Sequence, residues 1–128
     1  PDIGSTRMFI TIDGDDIGQR ITKFYLSNHA KSLADLNQKM LETTHKISNH
    51  LEQLGFSIIF CGADGVAGHA ETPSIPANEI FEQISALGKE CATFSAGTGD
   101  TLRESYIALI AAKSNGKAQL YSYQNLEL

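Results

Sequence analysis

An apolar run that ends in carboxylates is the feature that most constrains this chain. Residues 9–12 are Phe-Ile-Thr-Ile, and residues 13–18, which follow, are Asp-Gly-Asp-Asp-Ile-Gly. Residues 57–65 repeat the arrangement, because a second apolar run there leads into Asp64. Apolar, β-branched runs of this length predict strands, and clusters of Asp and Gly predict the turns that end them. Two strands that deliver acids to one sheet edge indicate a site for a hard cation such as Mg2+, which takes oxygen ligands.

Length and charge narrow the class of protein. The chain has 128 residues and a net charge of −5. This size predicts one domain, and the acidic balance argues against duplex nucleic acid as a partner. No apolar run is long enough to span a membrane, and no signal peptide is visible. The two cysteines lack metal-ligand spacing, so we expect a reduced cytoplasmic protein. Residues 1–7 are interpreted as a cloning remnant ahead of a natural Met8, with residues 8–128 forming the domain.

Hydrophobic periodicity predicts alternating strands and helices. Strands are expected at 8–12, 56–61, 66–70, 91–96 and 117–123, with helices after residues 17, 32, 76 and 101. The order β-α-β-β-α-β-α-β is that of an α+β, ferredoxin-like fold with helices on one face of a mostly antiparallel sheet. In this layout the first and third strands are central neighbours. The fold therefore places Asp13 beside the turn that carries Asp64.

Asp13 and Asp64 are the candidate catalytic and metal-binding pair. Strand alternation places Asp15 on the same face as Asp13, if the strand continues that far. One Asp/Gly turn alone is usually only a polar turn. Two such turns at the ends of neighbouring strands favour a metal site.

Phosphate binding is predicted at two further places. The backbone amides of Gly14, Asp16, Ile17 and Gly18 precede a helix, and a helix N-terminus attracts phosphate. The pattern is not that of a Walker loop. A basic pair, Lys113 and Lys117, flanks the end of the last helix. This pair either complements the helix dipole or clamps outer phosphates, and spacing alone leaves both readings open. Residues 24–36 are the expected base pocket.

Three segments in order resemble a known family. They are residues 13–18, 62–64 and 112–117, the last reading Ala-Lys-Ser-Asn-Gly-Lys. Together they look like the palm domain of nucleotidyl cyclases, a group that includes diguanylate cyclases and the polymerase-like subunit of type III CRISPR complexes. The short length and residues 99–106 look most like the stand-alone minimal CRISPR polymerases. The resemblance covers residues 8–123.

The resemblance implies an enzyme that joins or cyclises nucleoside triphosphates and releases pyrophosphate. It implies two Mg2+ or Mn2+ ions, held by Asp13, the Gly14 carbonyl and Asp64. The hairpin backbone at Gly62 and Ala63 would pass close to the nucleotide. In the family pattern, Lys113 binds the triphosphate and Lys117 stands where a second basic residue helps.

The resemblance also implies biological context. The expected substrate is ATP, and the expected product is a cyclic di- or oligoadenylate that signals to a downstream effector in antiviral defence. Two ATP molecules must meet, so we expect a homodimer or one site that accepts a second nucleotide.

One departure from the family pattern keeps alternatives open. The relatives carry a second acid in the hairpin, where this chain has Gly65, so Asp15 or Asp16 is a candidate replacement. The main alternative is a nucleotide-binding sensor that has lost turnover. A receiver domain needs alternating βα units with a parallel sheet, which this order lacks. A phosphatase using Asp13 and Asp15 needs more motifs than the chain shows, and a ring-opening GTP hydrolase on a related palm is a further alternative.

Overall fold

The computed structural model describes residues 7–127, which build a five-stranded sheet with helices on both faces. The strands are β1 (Met8–Gly14), β2 (Ser57–Gly62), β3 (Gly65–Ala70), β4 (Phe94–Gly99) and β5 (Leu120–Ser122). The helices are α1 (Ile17–Leu26), α2 (Ala30–Gln53), α3 (Ala77–Gly88) and α4 (Leu102–Ser114), and a short 3-10 turn follows at Tyr123–Asn125. The strand order is β2-β3-β1-β4-β5, and β5 runs parallel to β4 while the other pairs are antiparallel. The α+β class and the mostly antiparallel sheet are confirmed.

The central strand β1 lies between β3 and β4, as the expected layout requires. Its residue Asp13 pairs with Gly65, the first residue of β3. The amide of Gly14 donates to the carbonyl of Asp64 at 2.8 Å. The hairpin turn is therefore fastened to the end of β1, and the predicted meeting of the two acidic turns is confirmed.

The two faces of the sheet carry different layers. Ile10 and Ile12 are fully buried in the core with residues of α2 and α3. Residues of alternate parity point to the opposite face. There Thr11 shares a hydrogen bond of 2.7 Å with Ser105 of α4. The expectation that all helices lie on one face is wrong, because α4 covers the second face.

Glycines in β4 allow this second layer. A Cβ at Gly97 would lie 2.2 Å from the backbone of α4 at Leu109 and Ser105. Only a residue without a side chain lets the helix approach so closely. The strand predicted at 91–96 lies three residues further along the chain, at Phe94–Gly99, so its predicted bounds are wrong.

The last strand is also shorter than expected. It begins at Leu120 rather than at 117, because Lys117 and Ala118 have left-handed backbones with φ of 63° and 52°.

The described helices include none long and apolar enough to cross a membrane. The interpretation of residues 1–7 concerns a segment that, except for Arg7, lies outside the described residues.

Candidate functional site

The carboxyl groups of Asp13 and Asp64 meet at one edge of the sheet. The Asp13 side chain is 31% exposed. Burial raises the pKa of Asp13 above its ordinary value, the charge and a hydrogen bond of Asp64 raise it further, and Lys113 opposes the shift. Two carboxyl groups this close repel each other when both are ionised. The pair therefore favours a cation between or beside them.

Lys113 supplies such a cation from the last turn of α4. Its ammonium lies 2.8 Å from Asp13 Oδ2 and 3.3 Å from Asp15 Oδ1, and it donates to the carbonyl of Gly14 at 3.0 Å. Burial alone would lower the pKa of Lys113, but contacts with Asp13 and Asp15 outweigh burial and raise it. Three oxygens from β1 and the residue after it thus surround one positive charge. These contacts are compatible with both predicted roles of Lys113, which are binding a phosphate and complementing the helix dipole.

The donor set has the chemistry of a hard-cation site. Carboxylate and carbonyl oxygens are the ligands that Mg2+ and Mn2+ prefer. Among the described residues no group of three or more His, Cys, Asp or Glu side chains is arranged to hold a metal ion. The side chains present fit a divalent ion only if a main-chain carbonyl such as that of Gly14, or the substrate itself, completes the shell.

Gly65 explains the departure from the acidic hairpin pattern in steric terms. A Cβ at this position would lie 3.0 Å from the carbonyl oxygen of Ile12 and 3.1 Å from Asp13 Oδ1. A side chain here would crowd the carboxyl group of Asp13. At the preceding turn, Ala63 adopts a left-handed backbone with φ of 49°, a conformation that glycine takes without strain.

The prediction that Asp15 shares the face of Asp13 depended on the strand continuing to residue 15. The β1 strand ends at Gly14, so this condition is not met, and the Asp15 side chain is only 1% exposed. Its carboxylate accepts hydrogen bonds from the hydroxyls of Thr93 and Ser95 and from the amide of Ala118. Sequence reasoning missed these three partners, since small polar residues near a strand carry no specific signal.

An ion pair connects the residue after Asp15 with the turn that follows α4. Asp16, at φ 62°, is the N-cap of α1 but makes no side-chain capping bond. Its carboxylate pairs with Lys117 instead. The amides of the first turn of α1 are therefore left uncapped by this side chain, and Lys113 and Lys117 both reach the residues that follow β1.

A cavity of about 610 Å³ opens between α1 and α2 and reaches the acidic hairpin. Its lining is mostly aliphatic, with Tyr25, Asn37 and Asp64 as the residues that carry polar side-chain groups. The full lining is Ile17, Gly18, Ile21, Tyr25, Ala30, Leu33, Ala34, Leu36, Asn37, Met40, Ala63 and Asp64. The segment expected to form the base pocket contributes several of these residues.

A second groove of about 690 Å³ lies on the α4 face of the sheet. Phe60, Tyr106 and Ile110 line it and are 58%, 57% and 46% exposed. Asp13 and Lys113 lie at its margin. The acids therefore stand between two concave surfaces, one on each side of the sheet.

Two solved structures with a similar fold are a GGEEF domain and a GGDEF domain. The active GGEEF domain of a diguanylate cyclase from Vibrio cholerae is 18% identical with a TM-score of 0.65, covering 94% of this chain and 84% of that one. The GGDEF domain of DgcB from Caulobacter crescentus, solved with c-di-GMP, is 14% identical with a TM-score of 0.58, covering 93% and 78%. At these identities the likeness shows a common fold. Curated protein sequences provide no match.

A family model settles the relationship that the motifs indicated. The model of the minimal CRISPR polymerase domain matches residues 9–123, from the second residue of β1 to the residue after β5. The match includes both acidic turns, α4 and the two lysines. The chain belongs to the minimal CRISPR polymerase family.

Proposed function

We propose that this domain is a metal-dependent nucleotidyltransferase that joins or cyclises nucleoside triphosphates. The observation that carries the proposal is the convergence of Asp13, the Gly14 carbonyl and Lys113, which is 99 positions from Gly14. A carboxylate, a carbonyl and a lysine ammonium at one point are suited to a cation and a polyphosphate together. Family membership and the shared cyclase fold support the same reaction class.

In this proposal Asp13, Asp64 and the Gly14 carbonyl would hold two Mg2+ or Mn2+ ions. Such ions would neutralise charge on the phosphates and favour ionisation of an attacking hydroxyl. The ribose hydroxyl of one nucleotide loses its proton to solvent, and its oxygen forms a bond to the α-phosphorus of another. The bond from that phosphorus to the bridging oxygen breaks, and pyrophosphate leaves with its electron pair.

Lys113 and Lys117 bind the triphosphate, together with backbone amides from Asp16, Ile17 and Gly18. The Gly14 amide, expected to join them, donates to the Asp64 carbonyl instead. A lysine ammonium acts as a compact point charge on a flexible stem. The uncapped N-terminus of α1 adds the positive end of its dipole. In the structure Lys113 contacts oxygens that we assign to metal binding, so substrate binding requires Lys113 to turn from Asp13 toward the phosphates.

The cavity between α1 and α2 is the proposed base site, and ATP is the proposed substrate. The cavity borders Gly18 on one side and Ala63 and Asp64 on the other, so a base held there keeps its phosphates near the acids. Gly62 and Ala63 contribute the hairpin backbone at this border. Asn37 is the side chain placed to donate to and accept from a base edge.

A second copy of the chain is the proposed partner on the α4 face. Each copy carries one acidic pair, whereas joining two nucleotides needs both held in one place. The exposed apolar groove runs up to Asp13 and Lys113, so a copy seated on it lies beside the site. The chain is also proposed to act in signalling. Its cyclic product, proposed to be an adenylate, signals in the cytoplasm to an effector in antiviral defence, a role that the CRISPR-associated family supports.

Residues 8–128 form one catalytic domain in this proposal.

Product identification tests the reaction. The protein is incubated with Mg2+ or Mn2+ and each of the four ribonucleoside triphosphates, and products are identified by chromatography and mass spectrometry. We expect a cyclic adenylate from ATP with the parent protein and none with Asp64→Asn. Linear or cyclic products from another triphosphate alone would overturn the ATP assignment but keep the reaction class.

A sensor that binds nucleotide without turnover is the second candidate. The absence of an acid at position 65 and the contacts of Lys113 with Asp13 favour it. ATP binding without any product, in the presence of either metal ion, would establish the sensor and contradict the enzyme.

A further inference from the structure

The carboxylate of Asp15 is the most completely hydrogen-bonded charged group near the site. Oδ2 accepts from Thr93 Oγ1 at 2.8 Å and from the Ala118 amide at 3.0 Å. Oδ1 accepts from Ser95 Oγ at 2.7 Å and lies 3.3 Å from the Lys113 ammonium. An ionised carboxylate has about four lone-pair positions. All of them are used, so Asp15 has no free position for a metal ion.

These partners come from two parts of the chain, which also contact each other directly through the Ala118 amide and Ser95 Oγ. Thr93 precedes β4, Ser95 belongs to it, and Ala118 lies in the turn between α4 and β5. The three hydrogen-bond donors and the Lys113 ammonium all face this carboxylate and stabilise its charged form beneath the site.

The turn that Asp15 holds has an unfavourable backbone. Lys117 and Ala118 are consecutive left-handed residues without being glycine. This conformation is unfavourable for both residues, because it brings Cβ too close to the following carbonyl oxygen. The Ala118 amide donates to both Asp15 and Ser95 at 3.0 Å, and this anchor offsets the strain. Because Lys117 is the adjacent residue, the anchor also fixes where its side chain begins.

We propose that Asp15 is a positioning residue that sets the two triphosphate-binding lysines, acting on Lys113 through charge and on Lys117 through the anchored turn. The inference rests on the proposed function for the ligand and on the structure for the contacts. It replaces the expectation that Asp15 stands in for the missing hairpin acid. A role limited to fold stability would not link Asp15 to Lys113.

Binding of inorganic triphosphate and of Mn2+, measured separately by calorimetry, tests the proposal. For Asp15→Asn we expect triphosphate affinity to fall about tenfold or more, as for the loss of a charge-assisted hydrogen bond. Mn2+ affinity should fall far less than in Asp13→Asn. An equal loss of Mn2+ affinity in the two variants would make Asp15 a metal ligand and overturn the proposal. Asp100→Asn, a distant substitution, is the matched control.

A double-mutant cycle separates positioning from general destabilisation. We expect Asp15→Asn to weaken triphosphate binding less in a Lys113→Met background than in the parent. In that background the effect that Asp15 exerts through Lys113 is already lost. Equal fold-losses in both backgrounds would contradict action through Lys113. If Asp15→Asn does not fold, Ser95→Ala and Thr93→Val each remove one donor and take its place in the same comparisons.

The outcomes distinguish this inference from the proposed function. Triphosphate binding that depends on Asp15, in a parent protein that forms no product, supports the positioning role and contradicts the enzyme. If the parent protein forms product and Asp15→Asn has unchanged triphosphate affinity, the proposed function is supported and the positioning role is contradicted. A parent protein without triphosphate affinity overturns both.

Discussion

At the scale of residues, three neighbouring aspartates have three different environments. Asp13 is half-buried beside Asp64 and Lys113. Asp15 is buried and saturated with donors, whereas Asp16 is exposed and paired with Lys117. The same side-chain chemistry therefore serves the proposed metal ligand, the proposed anchor and a surface ion pair, depending on what each carboxylate touches. Sequence reasoning singled out all three but had no means to separate them, since their donors are far away along the chain.

We predict that Lys113→Met raises the affinity for Mn2+ and lowers the affinity for inorganic triphosphate. Without the ammonium, the oxygens of Asp13 and Gly14 are free, so affinity for Mn2+ in nucleotide-free protein should rise. Affinity for inorganic triphosphate should fall, because a point charge for phosphate is lost. Calorimetric titrations with each ligand measure both effects. A fall in Mn2+ affinity would show that Lys113 does not compete with the metal.

Asp15 predicts a dependence of stability on pH. Its pKa in the folded protein lies below the ordinary value of 3.8, so folding favours the charged form. The stabilisation is therefore fully present above pH 3.8 and is lost as the pH falls through the folded-state pKa. In urea unfolding from pH 7 down to pH 3, the midpoint difference between the parent and Asp15→Asn should narrow at the acidic end. A constant difference would contradict an ionised Asp15.

At the scale of elements, most of the architecture could be predicted and one strand could not. Helices α1 to α3 and the β2–β3 hairpin follow from apolar periodicity and from the glycine turns. Helix α4 begins after Thr101 as predicted, and Thr101 Oγ1 accepts from the Glu104 amide at 3.1 Å, which caps the helix. The β4 strand was misplaced because Gly97 and Gly99 indicate a turn locally. Their actual role is to admit α4, a tertiary contact that local sequence does not encode.

Gly97→Ala tests this explanation of β4. The added Cβ would meet α4 backbone at 2.2 Å, so α4 must move away from the sheet. We expect a loss of about 1–3 kcal/mol or more in the free energy of unfolding, as for overpacked cores. Gly18→Ala is the contrasting control, because its Cβ meets no atom within 4 Å and Ala favours a helix by about 1 kcal/mol. Equal stability for Gly97→Ala and the parent in urea unfolding would refute the close approach.

At the scale of the whole molecule, the sheet separates two concave surfaces that meet at Asp13 and Asp64. The α1–α2 cavity suits a base, and the α4 groove is exposed and apolar. Large exposed apolar patches usually mark interaction sites. The expectation of a homodimer came from reaction chemistry, and the groove is the surface on which we propose that the second copy lies.

Tyr106→Glu tests the groove as the interface between copies. Tyr106 is 57% exposed, so the substitution should leave the fold intact while placing a charge on the apolar surface. We expect sedimentation velocity to show a dimer for the parent and a shift toward monomer for the variant. Product formation should fall with it and should depend on protein concentration. A monomeric parent that makes cyclic product at a rate per molecule independent of concentration would place both nucleotides on one chain.

The central claim is that Asp13 and its neighbours carry nucleotidyl transfer, and pyrophosphate release from ATP tests it most directly. The parent protein, Asp13→Asn and Asp100→Asn are compared with Mg2+ or Mn2+ present, after thermal unfolding has shown that all three fold. We predict metal-dependent release by the parent and by Asp100→Asn, with release abolished in Asp13→Asn. Release that persists in Asp13→Asn, or a parent protein that binds ATP and metal without releasing pyrophosphate, would contradict the account.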